Sequence, residues 1–116
     1  MKLGAGGKGV MRMANFDQRI GQHKTKVITK NGVTKVVYHD TAVVMFNDDQ
    51  IILDSGGWWT RTTKARMNQA AQQFGLGYSV KQVQGDWVVT FKGEDHYFEA
   101  NRIRLDRKAG YVSVPN

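Results

Sequence analysis

The chain has no cysteine, a single proline, few acids and no long apolar run, and each shortage removes a class of explanation. Without cysteine there is no disulfide framework, no zinc held by thiolates and no thiol nucleophile. No stretch approaches the roughly 18–20 apolar residues that span a bilayer. The first twenty residues lack the apolar centre of a secretion signal. The chain therefore reads as a soluble protein acting in the cytoplasm, with no membrane partner. At 116 residues and 41% hydrophobic content it has the material for one buried core and is too apolar for wholesale disorder.

What is present is unevenly placed. The formal charge is +7. Residues 1–38 hold eight basic residues against the single acid Asp17, whereas residues 39–116 hold nine of each. The net charge thus belongs to the first third of the chain, which points to a polyanionic partner. Within it, residues 1–22 mix Gly4, Gly6, Gly7 and Gly9 with Lys2, Lys8, Arg12 and Arg19 and show no sustained period. They read as a flexible basic arm ahead of one domain over 23–116, with 16–20 suited to a docked helical turn. The glycines around Lys8 lack the spacing of a phosphate loop.

Residues 26–30 and 33–38 are rich in β-branched side chains and flank Asn31-Gly32, whose freedom at positive φ suits a two-residue hairpin turn. That turn pairs Thr29 with Thr34, Ile28 with Lys35 and Val27 with Val36. A second pair, 41–46 and 50–53, turns through Asn47, Asp48 and Asp49, and its nearly continuous apolar runs suit central strands. Met67, Ala70, Ala71 and Phe74 then recur at helical spacing, predicting a helix over about 62–74 capped by Thr62 or Thr60. Gly75 followed by Leu76 suits a left-handed stop. Further hairpins follow through 84–86 and 92–95, then a strand at 102–105 and a short edge at 111–114. The expected fold is α+β: a bent antiparallel sheet of about six or seven strands with one main helix.

Two sets of residues have the chemistry to hold an anion. Lys24, Lys26 and Lys30 share parity on the first strand, and Lys35, opposite Ile28, joins their face. The second set lies between residues 56 and 85, thirty positions without an acid. There Arg61, Lys64 and Arg66 accompany Asn68 and Gln72 at a helix start crowded with threonines. Guanidinium and ammonium groups neutralise phosphates, carboxamides pair with base edges, and a helix start attracts anions. Of Trp58 and Trp59 only one can point fully inward, leaving the other as a stacking platform for an unpaired base. Each set also has a structural reading, as a solvated face or as core packing. His39 and Asp40, with Asp48, Asp49 and Asp54, lack the spacing of a known metal motif, and nothing positions His39 or His96 for catalysis. No cofactor motif is present.

The block 53–69, LDSGGWWTRTTKARMNQ, with Phe74-Gly75-Leu76-Gly77-Tyr78 and Gly85-Asp86-Trp87, resembles a family of small bacteriophage proteins. The resemblance covers about 37–105, leaves residues 1–22 outside it, and implies a phage origin rather than a mechanism. It places the protein in an infected bacterium. The expected function is that of a non-enzymatic nucleic-acid-binding accessory protein, with DNA or RNA as partner. The alternative is an inhibitor or modulator of an acidic host protein, and behind it a small virion or assembly component.

Overall fold

A computed structural model describes residues 24–115. The expected flexible arm over 1–22 and the helical turn at 16–20 lie outside the described residues. Strands β1 (Thr25–Lys30), β2 (Val33–Tyr38), β3 (Thr41–Phe46) and β4 (Gln50–Asp54) form an antiparallel meander. The chain then leaves this sheet to build helix α1 (Arg61–Phe74) and the strands β5 (Tyr78–Val83), β6 (Asp86–Phe91) and β7 (Glu94–Tyr97). It returns as β8 (Arg102–Asp106), antiparallel to β4, and ends in β9 (Val112–Ser113).

The described residues therefore carry nine strands in two sheets, ordered β1-β2-β3-β4-β8-β9 and β5-β6-β7. This corrects the expectation of one sheet of six or seven strands, while the α+β class stands. The reason is burial. Along the first sheet, Val36, Val44, Leu53 and Ile103 form one inward row, and Phe46, Ile51 and Leu105 another. That face needs a cover. Met67, Ala70 and Ala71 of α1 and Tyr78, Val80, Trp87, Val89 and Phe91 of the second sheet supply it, making one core. Joined edge to edge, the two sheets would leave both of those faces in water.

Three hairpins turn through two residues at positive φ: Asn31-Gly32, Gln84-Gly85 and Lys92-Gly93. Their twist matches that of the flanking strands. The first hairpin has the expected register, including Thr29 with Thr34 and Ile28 with Lys35. The turns expected through 84–86 and 92–95 are shorter than anticipated. Asp86, Glu94 and Asp95 belong to strands. In β3 a bulge leaves Val43 outside the pairing with β2, between Val44 and Ala42, and Val43 and Val44 are both fully buried. A bulge is how consecutive apolar residues turn to one side of a sheet.

Helix α1 starts one residue earlier than expected, and of the two candidate caps it is Thr60 that serves. The Thr60 hydroxyl accepts from the Thr63 amide at 3.2 Å. Gly75, at φ 63°, ends the helix, and the Gly75 and Leu76 amides both donate to the Ala71 carbonyl.

Candidate nucleic-acid interface

Cross-strand pairing sets which lysines stand together. Lys26 pairs with Val37, Ile28 with Lys35 and Lys30 with Val33, so Lys26, Lys30 and Lys35 occupy the face opposite the core. Lys26 and Lys30 are about 13 Å apart along β1. Lys35 stands on β2 at the level midway between them. All three are exposed, and the same row continues through Met45, Ile52 and Arg104. Lys24 departs from the ribbon. It precedes β1 at φ 53°, and its carbonyl accepts from the His39 amide at 2.8 Å.

Several acids are engaged elsewhere, while Asp40 lines a depression together with Lys24 and Lys26. Asp49 pairs with Lys108 at 2.9 Å, Asp54 with Arg102 at 3.6 Å and Asp95 with Lys81 at 3.4 Å. A bond from the Thr90 hydroxyl holds the Asp95 carboxyl below the usual carboxylate range. The Ala109 and Lys108 amides do the same for Asp106, and the bond to Asp49 raises Lys108. Among the described residues, Lys24, Lys26, Lys30, Lys35, Arg61 and Lys64 have no acid within ion-pair distance.

The helix set does not survive as a single surface. Arg66 is buried: its Nε donates to the Thr25 hydroxyl at 3.0 Å, Nη1 donates to Gln69, and the guanidinium lies 5.6 Å from the Tyr38 ring centre. It fastens the helix to the first sheet and has no face for a phosphate. Asn68 is also committed. Its carboxamide accepts from the Val80 amide at 2.7 Å and donates to the Val80 carbonyl at 2.8 Å. Arg61 remains exposed and Lys64 half-buried, and no acid sits in the first helical turn. Because α1 packs on the core face through Met67 and through Phe74 against Phe46, the hairpin lysines lie across the sheet from it.

Neither tryptophan points fully inward, which corrects the expectation for one of them: Trp59 is 44% exposed and packs only its inner edge on the core. Trp59 meets Trp87 and Phe98 edge-on, with centroids 4.9 and 5.3 Å away. Trp58 is 61% exposed. It lines a groove of about 450 Å3 together with Tyr38, His39, Asp40, Thr41, Thr60 and Thr62. Tyr38 and Thr41 were not legible as site residues, because the turn that carries them meets the helix approach only in three dimensions. The approach is held firmly. Ser55, wholly buried, takes the Asn101 carbonyl on its amide and donates its hydroxyl to Asn101 Oδ1, while its own carbonyl accepts from the Trp58 amide. Gly56, at φ 61°, lies so close to Thr41 that a Cβ there would fall 2.4 Å from Thr41 Oγ1.

No group of three or more His, Cys, Asp or Glu among the described residues is placed to hold a metal ion. His39 and Asp40 sit at the β2–β3 turn, whereas Asp48 and Asp49 lie at the other end of β3. No helix among them is long and apolar enough to cross a membrane. No curated protein and no solved structure matches the chain. The sequence profile of the Kyanoviridae Gp96 protein matches residues 8–107, so the likeness extends into the basic segment before residue 22, beyond the 37–105 expected. The chain belongs to the Kyanoviridae Gp96 protein family, a family of bacteriophage proteins.

Proposed function

We propose that this phage protein is a non-enzymatic nucleic-acid-binding accessory protein that engages the sugar–phosphate backbone through the outer face of its first hairpin. One observation carries the reading: Lys26, Lys30 and Lys35 share that face, with no acid of the described residues in ion-pair reach. Like charges held together without counter-charge repel one another, and a polyanion relieves that repulsion while releasing its own counterions. Lys24 lines a depression with Lys26 and His39 and so extends the cationic surface to the β2–β3 turn.

Binding to DNA or RNA oligonucleotides at graded salt tests this. Affinity falls steeply with salt, and replacing Lys26, Lys30 and Lys35 with Gln flattens the slope of log K against log salt by about 2 to 3. Absence of binding at low salt, where electrostatic attraction is strongest, would refute the reading. A nuclease-resistant host protein recovered in its place would favour an acidic protein partner.

A further inference from the structure

The groove beside Trp58 adds a preference that lysines on a sheet face do not provide. We infer that the protein selects single-stranded over duplex nucleic acid, by stacking an unpaired base on Trp58 in that groove. The inference rests on the nucleic-acid reading and names its substrate class.

Four observations lead there. Trp58 presents most of its surface to solvent in a groove of about 450 Å3, within the range of sites that enclose small organic ligands. Its backbone is restrained on both sides, by the Ser55 carbonyl before it and after it by Trp59, which is half-exposed but meets Trp87 and Phe98 edge-on. A platform restrained in this way loses little freedom when a ring stacks on it. The polar rim, with Asp40, Thr41, Thr60 and Thr62, provides acceptors and hydroxyl donors for the edge of a base.

The fourth observation concerns charge. A second depression, lined by Lys24, Thr25, Lys26, His39 and Asp40, shares His39 and Asp40 with the groove. A strand whose base lies on Trp58 therefore has a path past His39 to Lys24 and Lys26, two cations against the single carboxylate of Asp40. Arg61, between the groove residues Thr60 and Thr62 in sequence, begins a helical turn without acids. Bases inside a duplex are stacked on both faces and cannot enter such a groove, whereas an unpaired base offers a free π-face.

The test compares a fluorescein-labelled oligo-dT with a duplex carrying the same number of phosphates, by anisotropy, using the full chain. The single strand binds at least about tenfold more tightly at equal salt. Trp58→Ala weakens single-strand binding by about 5- to 150-fold, the range set by stacking one base on an aromatic ring. Duplex binding stays unchanged, and Trp58→Phe, which keeps an aromatic face, retains most of the single-strand affinity. Thermal melts of both variants establish that they fold. Equal affinity for the two substrates, or unchanged single-strand binding by folded Trp58→Ala, would overturn the inference and leave the hairpin reading intact. Failure to bind either substrate at low salt overturns both.

Discussion

The carboxamide of Asn68 stands in for a neighbouring strand at the edge of β5. It returns both hydrogen bonds that a peptide unit would give Val80, which is itself 4% exposed. Asn68→Ala leaves a nearly buried amide and carbonyl without partners, so stability falls by about 1–3 kcal/mol in urea denaturation, and the Val80 amide loses protection from exchange. Tyr78 makes a comparable link, its buried hydroxyl donating to the Met67 carbonyl at 2.6 Å. Burial pushes the phenol well above its ordinary 10.0. In the unfolded chain the phenol ionises near that ordinary value, and in the folded protein it does not. Above about pH 10 the native state thus binds the extra proton and stability falls as pH rises. Tyr78→Phe removes this tyrosine's share of the alkaline decline, read from denaturation midpoints across pH 8–11, at a cost of about 1 kcal/mol near neutrality.

At the scale of elements, the joint between β4 and α1 decides where the groove lies. Gly56 and Gly75 both have left-handed backbones, but space around them differs. A Cβ at Gly75 meets nothing within 4 Å, and one at Gly56 collides with Thr41. Gly75→Ala therefore costs about 1 kcal/mol, from backbone conformation alone. Gly56→Ala costs more, about 2–4 kcal/mol, because a steric clash adds to the strain. Pairing Gly56→Ala with Thr41→Ala recovers the steric share only, which a double-mutant cycle in denaturant measures. Much of the element order was legible: β-branched runs, Asn31-Gly32 and the spacing of Met67, Ala70, Ala71 and Phe74 all act locally. The turns at Gln84-Gly85 and Lys92-Gly93 were harder to read. There the glycine takes the second position and a residue with no turn signature takes the first at positive φ.

For the whole molecule, the governing feature is how charge is sorted. Carboxylates lie beside Lys81, Arg102 and Lys108, while the hairpin lysines have no such partners among the described residues. Replacing Lys26, Lys30 and Lys35 with Gln therefore leaves the melting temperature unchanged or slightly raised while salt-dependent binding weakens. Arg66→Gln behaves in the opposite way. It removes the guanidinium that bridges Thr25, Gln69 and the Tyr38 ring, so the melting temperature drops, and any loss of binding follows the loss of folded protein.

The sequence by itself determined the α+β class, the first hairpin and its register, Lys26, Lys30 and Lys35 on one face of it though not the departure of Lys24, and the helix with its stop. These depend on periods of two and 3.6 residues and on turn chemistry, which act over a few positions. Only the tertiary structure decided that the strands divide into two sheets around one core shared with the helix, because apolar faces hide one another better than any does alone. It also decided which cations stay available. Arg66 and Asn68 are polar in the sequence, yet packing turns them to Thr25 and Val80, forty-one and twelve positions away. The same packing brings Tyr38, at the end of β2, and Trp58, in the approach to the helix, to one groove, since no local pattern encodes contacts between distant segments.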